Sequence, residues 1–384
     1  MKILHICAGW QKWNGAANIA RMIMGEQERE GHRVSFRTWA NIKELRAADE
    51  VWIHCSWMPC LWWAALWGKN VHWVPECSYD PIRRAYHGWK KTLVGPIERF
   101  CLRRAKTIVA TCEVEKGWIE AYLGKRCPPI EVTNIKRFFD LKRVERGMRR
   151  RSFASKGRFG EAEPEGSTSI RDTCRTCSKD ESVIVNADKQ RCGEAEDDSL
   201  HLLYLGRRHP LKGVEYLEAA VAELNEGSRS RESKLNSGIG NFSNVEGLSV
   251  HCSTSTSNLD SKQIELKIVS NAFGEEKERI WDWCDVLVLP TLSDNFGLVI
   301  AEALERGKRV ITTDGAPVWD PGDRELGDSK DASTSTLNFD SNILVGYGGR
   351  LLYLKGYRDG SKEKRVELLK KVIVRVGEGG RVGR

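Results

Sequence analysis

Apolar residues along the chain gather in short continuous runs, and the stretches between them repeat at helical spacing. Runs at Lys2–Cys7, Arg33–Phe36, Glu50–Cys55, Val71–Pro75 and Lys106–Cys112 predict strands in the first part of the chain. His201–Leu205, Ile264–Val269, Val286–Leu289, Gly307–Ile311 and Gly349–Leu354 predict strands in the second. Such runs suit parallel strands covered on both faces. Helices are expected over Ala16–Glu30, before Trp67, across the basic region Arg83–Arg104, after Glu113 and Glu115, and over Val214–Leu224, Glu275–Trp283, Leu298–Glu305 and Glu363–Val376. Strand and helix alternating in this way predict an α/β fold with doubly wound sheets. Apolar periodicity lapses between Glu145 and Ser199, where Arg, Ser, Gly, Glu and Asp dominate, as in an insertion at an interdomain linker. Asn225–Ser261 reads as a surface excursion around a short strand at Leu248–Cys252, and Gly322–Asn342 as loosely held chain. The expected division is a first domain over 1–143, a linker over 144–199, a second domain over 200–360, and a basic C-terminal helix and tail over 361–384.

Composition changes this picture in two ways. Residues 1–150 hold 27 Lys and Arg against 15 Asp and Glu, a net +12, within a chain whose total is +8, and they hold 11 of the 14 Trp. A basic, Trp-rich half points to an anionic surface, a membrane leaflet or a phosphorylated lipid-linked acceptor rather than nucleic acid, although core filling also accounts for the Trp. The 12 Cys are scattered, many in apolar contexts, as thiols of a reducing compartment are. No signal peptide is read at the N-terminus. The longest apolar tract, Trp52–Gly68, is broken by His54, Ser56 and Pro59 and is shorter than a bilayer span. The expected location is cytoplasmic, with peripheral contact at the inner face of the membrane left open.

The candidate chemistry lies at strand ends. After Val286–Leu289, the polar run Thr291–Asn295 leads into a helix through Phe296, Gly297, Leu298 and Val299. The unpaired amides of a helix start favour phosphate, and Gly297 lets a ligand approach the backbone. Asp294 stands before this helix and Glu302 on it. After His201–Leu205 comes a basic loop, Gly206-Arg207-Arg208-His209-Pro210-Leu211-Lys212-Gly213, again ahead of a helix. Glu76-Cys77-Ser78-Tyr79-Asp80-Pro81 follows the strand ending at Pro75, and Gly15 sits in the first strand-to-helix turn. Cys174, Cys177, Cys192 and His201 have only partial zinc-site spacing, so no metal site is assigned. His54 reads first as a structural histidine satisfied at a strand end, with a part in the chemistry as the alternative.

Asp294 and Glu302 bracketing Asn295-Phe296-Gly297-Leu298, followed by Gly307-Lys308-Arg309-Val310-Ile311 and preceded by the Arg207 and Lys212 loop, resemble the donor signature of retaining nucleotide-sugar glycosyltransferases of GT-B architecture. This chain has Asp where the first acid is usually Glu, lacks the Pro before Val310, and has Glu76 where relatives often carry His before Asp80-Pro81. The resemblance implies two Rossmann-like domains facing a central cleft, and transfer of a sugar from a nucleoside-diphosphate donor to a hydroxyl with retention and no obligatory metal or other cofactor. It places Arg207 and Lys212 on the diphosphate and the backbone of Phe296, Gly297, Leu298 and Val299 on its phosphates. Asp294 then meets sugar hydroxyls, Glu302 the ribose, and Gly15 and Asn295 the donor cleft. Glu76 would be a catalytic group. The implied acceptor is a cell-envelope glycan, lipopolysaccharide or capsule, free or lipid-linked. A catalytically silent relative that binds nucleotide or glycan, and a membrane-docking basic module, are the rival readings.

Overall fold

The computed structural model describes residues 1–7, 15–55, 59–76, 78–139, 141, 199–238, 263–270, 272–294, 296–322 and 341–378. Asn295, Cys174, Cys177, Cys192, the strand expected at Leu248–Cys252 and nearly all of the linker and of Gly322–Asn342 lie outside these residues.

The first sheet is built from β1 (Lys2–Cys7), β2 (Arg33–Arg37), β3 (Glu50–His54), β4 (Val71–Val74), β5 (Thr107–Ala110) and β6 (Ile130–Val132). Their order is β2-β1-β3-β4-β5-β6, with every pairing parallel. The helices between them are α1 (Gly15–Arg29), α2 (Ile42–Ala47), α3 (Pro59–Trp67), α4 (Pro81–His87), α5 (Trp89–Leu102) and α6 (Glu113–Leu123). The second sheet runs β11-β12-β10-β9-β7-β8, from β7 (Leu200–Leu205), β8 (Ile264–Val269), β9 (Val286–Leu289), β10 (Arg309–Thr313), β11 (Ile343–Gly346) and β12 (Leu351–Leu354). It is parallel except for β11 against β12. Its helices are α7 (Val214–Gly238), α8 (Gly274–Trp283), α9 (Leu298–Glu305) and α10 (Lys362–Glu378). Two parallel-dominated, Rossmann-like sheets with helices between their strands form a two-domain α/β molecule.

Several elements differ from the reading of the sequence. The basic region is two helices, broken at Gly88, whose φ of 52° is left-handed. α2 was not foreseen, although Asn41 and Glu44 form a reciprocal capping box at its start. α7 continues well past Leu224 through chain that composition assigned to coil. Asn225 ties it to the sheet there, its amide donating to the Ile264 carbonyl and its carbonyl accepting from the Ile264 amide. The α10 helix is no loose appendage: Val366, Leu368, Leu369, Val372, Ile373 and Val376 are buried in the second core. That core also takes in Ile19, Ile23, Val74, Val109 and Ile135 of the first domain, so one apolar cluster crosses the interface.

Candidate active site

Two strand-to-helix turns of the second domain are laced together. The carbonyl of Leu211 accepts from the Leu292 amide at 2.8 Å, the Ser293 amide at 3.3 Å and the Thr291 hydroxyl at 3.0 Å. Leu211 lies in a 3-10 turn, Pro210–Lys212, capped by His209, whose Nδ1 accepts from the Leu211 amide at 3.2 Å. Gly213 ends the turn at φ 63°, and a Cβ there would lie 2.1 Å from the Pro290 carbonyl oxygen. Only glycine allows this approach, and the approach delivers Lys212 to Asp294. Lys212 Nζ stands 2.6 Å from Asp294 Oδ2 and donates to the Ser293 carbonyl at 3.3 Å. A second pinch supports the acid from the other side. The Asp294 amide donates to the Gly315 carbonyl at 2.7 Å, and a Cβ on Gly315 would lie 2.0 Å from the Thr291 carbonyl oxygen.

Burial drives the Lys212 pKa down; Asp294 opposes that, and the charges of Arg83 and Arg207 add to it. Arg207 and Arg83 therefore lie near enough to Lys212 to act on its charge, and the three cations come from both domains. Arg83 is the cation that sequence reasoning missed, lying unmarked at the start of the basic region Arg83–Arg104. Its Nη1 donates to the Glu76 carbonyl at 3.3 Å, and its place directly behind Asp80-Pro81 was the available signal. Arg207 is exposed, and its carbonyl accepts from the Tyr204 hydroxyl at 2.8 Å.

The helix start proposed for phosphates is formed as expected from its glycine. Gly297 adopts φ 61° and ψ 59°, and its carbonyl accepts from the Ile300 amide at 2.8 Å, opening α9. Phe296 is buried, stacks on Phe139 at 5.4 Å, and its carbonyl is held by Trp319 Nε1. Leu298 and Val299 occupy the first turn of the helix. Glu302 does not join Lys212 and Asp294 in one cluster; its Oε2 is paired with Lys277 of α8 at 2.6 Å. Gly15 opens α1 and is itself exposed, and a Cβ on it would meet nothing within 4 Å.

Glu76 is placed otherwise than an exposed catalytic carboxylate would be. It is 4% exposed at a left-handed φ of 55°, next to Cys55 at φ 69°, two strained non-glycine residues at adjoining strand ends. Oε2 accepts from the Cys55 thiol at 3.5 Å, and Oε1 lies 3.5 Å from His54 Nδ1. Behind His54, its Nε2 is 2.9 Å from His5 Nδ1, and His5 Nε2 is 2.7 Å from Gln27 Oε1. The amide oxygen of Gln27 can only accept, which sets the tautomers in sequence: His5 Nε2–H donates to Gln27, His54 Nε2–H donates to His5, and His54 Nδ1 is left as the acceptor facing Glu76. Both Glu76 Oε1 and His54 Nδ1 are buried without a hydrogen bond, so a proton on Glu76 would give that acceptor a donor to approach. Burial pushes its pKa up to about 8, and burial pulls His54 and His5 down to about 3. Between about pH 3 and about pH 8 the three groups are thus neutral together.

Asp80, the acid of the Tyr79-Asp80-Pro81 element, joins the domains. It is fully buried, caps α4 through the Ile82 amide at 2.9 Å, and ion-pairs through the same Oδ1 with Arg358 of the second domain. Asp314 holds the Arg358 loop, accepting from the Gly356 and Arg358 amides at 2.8 and 2.9 Å. The Arg358 guanidinium lies 5.0 Å from the Trp118 ring of α6. Nothing near Arg358 in the sequence marked it. Among the described residues no three His, Cys, Asp or Glu side chains converge as metal ligands.

Known families resolve what this geometry belongs to. Residues 33–135 match the glycosyl transferase 4-like domain, and residues 199–326 match glycosyl transferases group 1, so the two matches together span more than half of the chain. The chain pairs a glycosyl transferase 4-like domain with a glycosyl transferases group 1 domain. This glycosyltransferase shares its fold with sucrose-phosphate synthase from Thermosynechococcus elongatus, at 11% identity and a TM-score of 0.51, covering 100% of this chain and 92% of that one. HepE from Anabaena, solved with UDP-glucose, gives 11% identity and a TM-score of 0.49, covering 100% and 94%. WaaG, a glycosyltransferase involved in lipopolysaccharide biosynthesis, gives 12% and 0.46, covering 98% and 92%. Among curated proteins no sequence matches. The architecture of this glycosyltransferase is GT-B.

Proposed function

We propose that this glycosyltransferase moves a sugar from a nucleoside-diphosphate donor to a hydroxyl of a cell-envelope glycan of lipopolysaccharide or capsule type, retaining the anomeric configuration and requiring no metal. The observation that carries the reading is the Lys212–Asp294 pair at the join of two strand-to-helix turns, with Arg207 and Arg83 in electrostatic range. When the bond from the anomeric carbon to the donor phosphate breaks, negative charge grows on the leaving diphosphate. Lys212 and Arg207, aided by the helix-start amides of residues 296–299, stabilise that charge more than they stabilise the intact donor. Asp294, already oriented by Lys212, is the acceptor for sugar hydroxyls. Glu302 reaches the ribose by exchanging its Lys277 partner, and Asn295 and Gly15 border the donor. The acceptor oxygen bonds to the anomeric carbon as the bond to the donor phosphate breaks, the departing phosphate oxygen takes up the hydroxyl proton, and nucleoside diphosphate is released.

Glu76 enters this reading as the support of Arg83 through its carbonyl. A carboxyl that stays protonated up to about pH 8 is a poor general base below that pH. The same observation favours the rival, a silent relative that binds nucleotide without turning it over. The envelope-glycan acceptor rests on the Ser293–Leu304 and Tyr79-Asp80-Pro81 elements and on the basic first half of the chain.

The test screens UDP, GDP, ADP and CMP sugars by thermal shift, because a ligand that binds only the folded state raises its midpoint, and then follows turnover and product anomer by NMR. One donor is expected to shift the midpoint and be consumed. Lys212→Ala is expected to lower kcat on the order of 100-fold or more, the usual scale for losing one charge-stabilising donor. Donor binding without transfer or hydrolysis establishes the silent reading. No binding by any donor overturns both.

A further inference from the structure

The polarity of α5 is inverted. Toward the protein it presents Val94, Gly95, Glu98, Cys101 and Leu102, and toward solvent Trp89, Leu93, Ile97 and Phe100. Glu98 is fully buried because it has partners inside: the Tyr122 hydroxyl donates to its Oε2 at 2.9 Å, and Arg84 Nη1 lies 3.4 Å from the same oxygen. Arg84 in turn sits over the Tyr122 ring at 4.1 Å. A charged residue on the inner face, satisfied by an arginine and a tyrosine, fixes the rotation of the helix. The apolar stripe is thereby turned outward. Trp89 is 68% exposed, Leu93 67%, Ile97 52% and Phe100 57%, spaced so that they form one row along the helix, and Tyr86 at the end of α4 is 48% exposed.

The charges around this row are of one sign. Residues 83–104 contain seven Lys and Arg and a single acid, the buried Glu98. Lys90, Arg103 and Arg104 are exposed beside the row. We infer that the outer face of α5 lies on an anionic lipid bilayer, with Trp89, Leu93, Ile97 and Phe100 inserted among the headgroups and the flanking cations on lipid phosphates. An in-plane helix needs this division of residues: an apolar face to enter the headgroup boundary and Lys and Arg to meet its charge. A protein partner fits less well. Four side chains on one ridge expose on the order of 400 Å² of apolar area, against roughly 800 Å² per side in a stable protein interface. The face also sits beside the reaction cleft, since α4 and α5 follow directly from the Glu76–Asp80 loop and Tyr86 packs 5.1 Å from His209 of the donor loop. A lipid-linked acceptor could then be presented to the cleft from the surface that holds the enzyme. This last point rests on the proposed function; the bilayer contact does not.

The experiment is flotation of the full chain with vesicles of phosphatidylglycerol and phosphatidylcholine, and with phosphatidylcholine alone, at low and high salt. The wild type is expected to float with the anionic vesicles and to lose most of that binding at high salt. The combined variant Trp89→Ser, Leu93→Ser, Ile97→Ser and Phe100→Ser is expected to partition at least tenfold less. Its midpoint and donor-induced thermal shift should match the wild type, because the four side chains are exposed and none is in the donor site. Lys90→Glu with Arg104→Glu, which leaves the apolar row intact, should remove the preference for anionic lipid. Wild-type protein that stays with the soluble fraction, or a serine variant that floats equally well, overturns the inference. A wild-type dimer that the serine variant converts to a monomer, with no vesicle binding by either, assigns the face to a second copy instead. A preserved donor shift in any of these cases leaves the proposed catalysis standing.

Discussion

Replacing Glu76 with Gln should change the pH dependence of stability in a way that reports the proton directly. In the native protein the Glu76 pKa stands at about 8, against 4.5 ordinarily. His54 and His5 stand at about 3, against 6.5. Between pH 4.5 and 6.5 the unfolded chain carries protons on both histidines and none on Glu76, while the native network carries one, on Glu76. The unfolded state binds one proton more, so this network's contribution to stability falls as pH falls, by about 1.4 kcal/mol per pH unit. Between pH 6.5 and 8 the unfolded chain carries none of these protons and the native network still carries one, so the contribution falls as pH rises, at a similar rate. The network therefore favours folding most near pH 6.5. The amide of the Glu76→Gln variant has no proton to lose, and the difference in unfolding free energy between variant and wild type isolates this group from every other titration. That difference should move in favour of the variant by about 1.4 kcal/mol per pH unit from pH 4.5 to 8, on the order of 5 kcal/mol in total. Urea unfolding of both proteins at half-unit pH steps measures it, provided the slope with denaturant is shared. Two curves that run parallel across this range would show that Glu76 is ionised in the native state and would refute the neutral arrangement of Glu76, His54 and His5.

Two further substitutions test the packing that positions the site. Gly213→Ala adds a Cβ at φ 63° and 2.1 Å from the Pro290 carbonyl oxygen, so left-handed strain and overpacking add to a loss of about 2–4 kcal/mol. Gly31→Ala, at φ 84° with nothing within 4 Å, should lose only about 1–2 kcal/mol; equal urea midpoints for the two would sink the close-approach argument. Arg358→Ala leaves the fully buried Asp80 carboxylate without its cation and should cost about 3–5 kcal/mol, much of it restored by adding Asp80→Asn. Additive losses in that double-mutant cycle would show that the two residues are not coupled.

What could be read before any coordinates and what could not differ by the range of the interactions involved. The strands were legible because each is a run of apolar residues covered on both faces, a property stored in consecutive positions. The Gly297 helix start, the Gly213 turn and the Lys212 loop were legible for the same reason, since a glycine beside a polar or basic run is a local signal. Asn225 marks where that logic fails: α7 continues through Ser, Gly and Asn because a side chain bonds both backbone groups of Ile264, 39 positions away. The site shows the same division. Asp294 and Lys212 were each visible, but their 2.6 Å contact depends on Leu211 receiving three donors from the neighbouring turn. Arg83, Lys277 and Arg358 were invisible as partners because each meets its acid or its carbonyl only after α4, α8 or the loop after β12 has packed. The inverted helix α5 is the most instructive case. Its basic and apolar residues could all be counted in the sequence, yet a single acid among them would ordinarily mark the solvent side. Here Tyr122 and Arg84 take Glu98 inside, so the side facing outward is decided by two residues on other helices. Pattern analysis marks Arg83–Arg104 as a basic helical region suited to an anionic surface, and the burial of Glu98 is what shows which of its faces turns outward.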